Sequence, residues 1–83
     1  MRRVRNHHVP EYWAAGKAVS NHNGSFTTNG KQLFSYSLLI GDTCEKTGIK
    51  ILRDYTAGGR HGFQSMTTSQ HVGRARTSAD IVD

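Results

Sequence analysis

The sequence holds one cysteine, Cys44, and one proline, Pro10, among 83 residues. A lone thiol cannot close an intramolecular disulfide, so the fold must stand without covalent staples and suits a reducing cytosol. Long apolar runs are missing as well. The longest aliphatic stretch is Leu38-Leu39-Ile40, far below the roughly 20 residues that span a bilayer as a helix. The charged opening MRRVR is followed by NHHVPEYW, where an export signal needs an apolar core of about 7 to 15 residues. The expectation is therefore neither a membrane protein nor a secreted disulfide scaffold. Without export, Asn23-Gly24-Ser25 reads as a turn and not as a glycosylation acceptor.

Acidic residues are also scarce. Six Asp and Glu stand against eleven Lys and Arg, for a formal net charge of +5. Such a field favours anionic partners, nucleic acid first among them, although the same excess also keeps a small protein soluble. Arg2, Arg3 and Arg5 account for three of those five net charges, which leaves the rest of the chain nearer neutrality. A chain of this length buries only roughly 60% of the surface its unfolded form exposes, so it supports one core. Hydrophobic residues amount to 35% and glycines number nine. Stability is expected to be modest, and binding or self-association would add to it.

The pattern along the chain predicts a flexible basic arm over residues 1 to 9 and a single α+β domain over 10 to 83. The expected fold is a small antiparallel sheet of three to five strands covered by one C-terminal helix. Trp13, Ala15, Lys17 and Val19 share strand parity, and Gly16 argues against a helix, so residues 11 to 19 read as an edge strand. A hairpin is expected around Asn29-Gly30, flanked by Ser25-Phe26-Thr27-Thr28 and Lys31-Gln32-Leu33-Phe34-Ser35-Tyr36, because both turn residues tolerate the positive φ of a type I′ turn. Phe34, Tyr36, Leu38 and Ile40 alternate with Ser35, Ser37 and Leu39, which points the former set inward. A third strand over 49 to 55 with Ile49, Ile51 and Tyr55 on one face continues an antiparallel meander, and Phe63 to Met66 suggests a further short strand. Thr67 and Gln70 form a capping box for a helix over 68 to 80, with Val72, Ala75 and Ala79 on its apolar side and Gly73 as its weak point.

Residues that carry chemistry give little sign of catalysis. His7, His8, His22, His61 and His71 with Cys44 lack paired-ligand spacing, so they read as solvated histidines and no metal or other cofactor is expected. Cys44 lies near Asp42 and Glu45, whose charge opposes a thiolate. Asp42, Glu45 and Asp54 have Lys46, Lys50 and Arg53 beside them and look like solvated strand ends. The loop Ala57-Gly58-Gly59-Arg60-His61-Gly62 offers free amides and a guanidinium to an anion, but it lacks the Lys-Ser/Thr pair of a nucleotide-hydrolysing loop. Arg2, Arg3, Arg5, Arg60 and Arg74, with Tyr12 or Trp13 to stack, form a candidate sequence-tolerant nucleic-acid surface.

The stretch Asn23-Gly24-Ser25-Phe26-Thr27-Thr28-Asn29-Gly30, with Leu33-Phe34-Ser35-Tyr36 and Met66-Thr67-Thr68-Ser69-Gln70-His71-Val72, resembles a family of small uncharacterised phage proteins over residues 13 to 82. That resemblance implies a viral accessory protein in a host cytoplasm and transfers no functional residue. The expected function is non-enzymatic, with weak nucleic-acid binding through the arm and the Arg60 loop. The alternatives are an inhibitor docked on a host nucleic-acid-processing protein, such as a defence or transcription complex, and a self-assembling structural component.

Overall fold

Pro10 and Gly16 bracket a helix, α1 (Val9–Ala14), in place of the expected edge strand over 11 to 19. The computed structural model describes residues 2 to 83. Pro10 lies in the first turn, where a missing N–H costs nothing. Gly16 takes φ +75° just past the helix end. Its N–H donates to the Trp13 carbonyl at 3.0 Å and that of Lys17 to the Tyr12 carbonyl at 2.9 Å, the two bonds of a Schellman cap. The glycine that argues against a helix is the residue that ends one.

The described residues form a mixed seven-stranded sheet in the order β1-β2-β3-β4-β5-β6-β7, with two helices. The class is α+β as expected, but three to five strands and one helix understate it. β2 (Ala18–Ser20), β3 (Phe26–Asn29), β4 (Leu33–Ser35), β5 (Leu38–Thr43) and β6 (Lys50–Leu52) make an antiparallel meander. At its two edges β1 (Arg2–Arg3) runs parallel to β2, and β7 (Ile81–Val82) runs parallel to β6. Each parallel pair needs a crossover, and α1 supplies one while α2 (Met66–Ala75) supplies the other. None of the described helices is long and apolar enough to cross a membrane.

Of the flexible arm expected over residues 1 to 9, residue 1 lies outside the described residues, and residues 2 to 9 are built into the fold. Val4 N–H donates to the Ser20 carbonyl at 2.8 Å, Asn6–His8 form a 3-10 turn, and Val9 is fully buried. The cause is helical spacing. Val9 stands four residues before Trp13 on α1, so burying the indole draws Val9 into the same core.

The hairpin forms, but its turn is shifted by one residue. Thr28 pairs with Leu33, Asn29 N–H donates to the Gln32 carbonyl at 3.2 Å, and Gly30-Lys31 occupy the tip. Gly30 has φ +98° and Lys31 has no positive φ, the sign pattern of type II′ in place of I′. A Cβ on Gly30 would come within 2.6 Å of the Gly16 carbonyl oxygen, so the turn sits directly on the helix cap. The expected continuous strand through Ile40 is broken by a second tight turn at Tyr36-Ser37, between the paired Ser35 and Leu38. Tyr36, at φ +56°, is the one non-glycine residue with positive φ among the described residues.

The core face of the sheet carries Val19, Phe26, Leu33, Ile40 and Leu52 against Val9, Trp13, Val72 and Ala75 of the helices. It also carries Thr28, Ser35 and Lys50, all buried. The expected parity is therefore inverted on two strands: Ser35 points inward and Phe34 is half-exposed, and Lys50 and Leu52 point inward while Ile51 is half-exposed. Polar groups can face inward because each has a partner, and no buried side-chain N or O among the described residues lacks one. Gly41 lies within β5, where the close approach of Trp13 and Leu33 leaves room for no side chain. A Cβ there would meet Trp13 Cζ2 at 2.8 Å and Leu33 Cβ at 2.9 Å.

The C-terminal helix begins two residues earlier than Thr67 capping implies. Ser65 is the N-cap, and its hydroxyl accepts from Thr68 N–H at 3.1 Å. Thr68, His71, Val72 and Ala75 face the sheet at helical spacing. Ala79 lies beyond the helix end, where Asp80 N–H donates to the Lys50 carbonyl and guides the chain into β7. Phe63 to Ser65 form no strand.

Candidate functional site

β1 sets Arg2 and Arg3 at the sheet edge beside β2, and Arg5 leads from it into the 3-10 turn. Together with Lys17, His22 and the α1 side chains Glu11 and Tyr12 they line an open cleft of about 520 Å³. Four permanent cations thus face one carboxylate, that of Glu11, and His8 Nδ1 lies 2.8 Å from it. The Arg2 guanidinium carbon stands 5.3 Å from the centre of the Tyr12 ring, a cation–π contact. Arg3 Nη1 donates to the His22 carbonyl, which fixes its fork while leaving other donors free. Arg5 and Lys17 make no ion pair among the described residues.

The structure thus brings Arg2, Arg3 and Arg5 together and leaves Arg60 and Arg74 apart from them. Arg60 lies near the other end of the strand order, where its Nη1 is 3.2 Å from Asp83 Oδ1 and His61 Nε2 is 3.2 Å from Oδ2. Its glycine-rich loop already encloses an anion. Asp54 accepts from the Thr56 amide and hydroxyl and from Arg76 Nη2, and a Cβ on Gly59 would clash with it. The Thr56 hydroxyl, then Arg76, hold the Asp54 carboxyl below its ordinary value against the effect of burial. Arg74 stands exposed on α2 and does not line the cleft.

Of the two aromatics considered for stacking, only Tyr12 reaches the cleft. Trp13 is fully buried, and its Nε1 donates to the Lys31 carbonyl at 2.9 Å. Lys17 and His22 belong to the cleft although sequence reasoning passes over them. They reach it through the parallel β1–β2 pairing, for which two residues of strand leave no readable period.

Two interior groups differ from the solvated roles expected of them. Lys50 is buried beside the Trp13 ring at 5.6 Å, and its ammonium donates to the Gly30 carbonyl at 3.1 Å and to Thr43 Oγ1 at 2.8 Å. Burial pushes its pKa down. His71 is buried too, with Nδ1 2.8 Å from Ser35 Oγ, which lies 2.9 Å from Thr68 Oγ1. Burial first, then the Arg74 charge, lower its pKa to about 4. A serine beside an imidazole invites a nucleophilic reading, but Ser35 has no exposed surface. The pair acts as a structural clasp between β4 and α2.

Cys44 also departs from expectation, because the Thr47 hydroxyl and the Thr47 and Lys46 amides lower its pKa in spite of Glu45. No family model, curated protein or solved structure matches the chain.

Proposed function

We propose that this chain is a non-enzymatic nucleic-acid-binding protein whose contact surface is the arginine cleft at the β1 edge. The observation that carries this reading is the convergence of Arg2, Arg3, Arg5 and Lys17 around Tyr12. Guanidinium groups suit phosphate because they donate two parallel hydrogen bonds in a planar fork. Charge of one sign within a concavity also concentrates its field on an incoming polyanion. The phage resemblance would place the protein among viral accessory proteins of a host cytoplasm. Titrating the purified protein into labelled oligonucleotides at several salt concentrations tests the reading. Affinity should fall steeply with salt, because each neutralised phosphate releases condensed counterions. Absence of binding at low salt would remove nucleic acid as the partner.

Docking on a host protein is a second reading, supported by residues outside the cleft. Tyr36, Phe63 and Met66 are large apolar side chains 57%, 49% and 68% exposed, and apolar side chains open to solvent are what a protein partner would cover. A nuclease-resistant partner that is captured by the wild-type chain and lost on Tyr36→Asn would favour this reading over the cleft.

A further inference from the structure

We infer that the cleft takes a single-stranded segment, with one unstacked base resting against the Arg2–Tyr12 pair and the flanking phosphates on Arg5 and Lys17. This rests on the nucleic-acid reading above and narrows it. A duplex is read by an element that projects into a groove about 12 Å wide, whereas here the cations lie within a concavity. The adjoining helix α1 is six residues long, and its Val9, Pro10 and Trp13 are buried, so it offers no projecting recognition face. At about 520 Å³ the cleft falls within the size range of sites for one small organic group. A nucleotide unit belongs to that class and a double helix does not.

The chemistry of the lining supports the same choice. Tyr12 is held by packing against the core, and the Arg2 guanidinium carbon lies 5.3 Å from its ring centre, so a planar guanidinium and a planar aromatic stand side by side at the site. Either plane accepts a base, because bases stack on aromatic rings and on arginine alike. Such stacking needs a base whose faces are free, which only an unpaired strand provides. Arg5 and Lys17 are exposed cations without an ion pair among the described residues, available to the phosphates on either side. Stacking and phosphate contacts read no base edge, so the binding is expected to be sequence-tolerant.

The experiment compares an oligothymidine single strand with a duplex of equal length by fluorescence anisotropy, using wild type, Tyr12→Leu, Tyr12→Phe and Arg2→Gln. Wild type should bind the single strand at least about tenfold more tightly than the duplex. Tyr12→Leu should lose about fivefold or more on the single strand, the scale of one lost stack, with an unchanged salt slope. Tyr12→Phe should retain affinity. Because Tyr12→Leu touches the core, Arg2→Gln at an exposed position supplies a second variant and should weaken single-strand binding more than duplex binding. Equal or tighter duplex binding, or single-strand affinity indifferent to both Tyr12→Leu and Arg2→Gln, overturns the inference while leaving the cleft a polyanion site. Absence of binding to either form overturns both.

Discussion

The imidazole of His71 lies flat on the ring of Phe26, with centroids 4.0 Å apart and planes 5° from parallel. Its Nδ1 is tied to Ser35, and the neutral ring fits an apolar sandwich that a charged one would not. The folded state therefore holds this histidine unprotonated down to about pH 4, against an ordinary value of 6.5. Between those values the unfolded chain binds the extra proton. By linkage, the stability that His71 contributes is complete above pH 6.5 and is lost as pH falls towards 4, on the order of 3 kcal/mol in all. Thermal unfolding from pH 7.5 to 4.5 should show this decline. His71→Phe, which keeps a ring on Phe26 and removes the titration, should flatten it.

Gly41→Ala should destabilise the protein by about 1 to 3 kcal/mol, the usual cost of overpacking. The added methyl would press on Trp13 and Leu33 at the centre of the core. Chemical denaturation monitored by the emission of Trp13, the sole tryptophan, measures the change. Gly73→Ala is the control, because a Cβ there meets nothing within 4 Å. Replacing a mid-helix glycine should raise stability by up to about 1 kcal/mol.

Tyr36→Asn should raise the unfolding midpoint. A left-handed backbone costs an L-residue roughly 1 to 2 kcal/mol, and asparagine tolerates it better than a bulky aromatic. The Tyr36 ring, 6.4 Å from that of His71 and 57% exposed, has little burial to offset this cost. A lowered midpoint would show that its contact over the His71 clasp outweighs the strain.

Exchanging Arg5 and Lys17 together for glutamine should reduce the magnitude of the log affinity against log salt slope by about 1.4 for a single strand, at roughly 0.7 per phosphate contact. Arg60→Gln should leave the slope unchanged, since Arg60 already faces Asp83. Binding isotherms at four or more salt concentrations decide the matter, and equal effects from the two sets of exchanges would dissolve the distinction between cleft and loop.

How far the sequence disclosed all this can be judged residue by residue. Asn29-Gly30 marks the hairpin because few residues accept positive φ, and Val72 with Ala75 marks the buried side of α2 by its period. Pro10 and Gly16 are equally legible as a helix start and stop, but the five residues between them give too short a window for periodicity to be heard over strand parity. Ser35 and Lys50 misled for another reason. Alternation assumes that the apolar side faces inward, and it fails where buried polar groups satisfy one another. Three residues of the cleft, Arg2, Arg3 and Arg5, stood out as a charge cluster. Lys17 and His22 did not, since their place depends on a pairing between distant strands.

The meander from β2 to β6 is joined by short connections, whereas β1 and β7 attach only by closing longer crossovers through the helices. Loop closure of that kind carries a larger entropy cost and is repaid by only two paired residues at each edge. The edges should therefore open more readily than the centre, and amide exchange at Val4, bonded to Ser20, should be faster than at Thr28 or Leu33 in the central hairpin. The arginine cleft is assembled by one of these edges. An occupant of the cleft should then slow exchange at Val4, because whatever binds the closed edge alone draws the equilibrium towards closure.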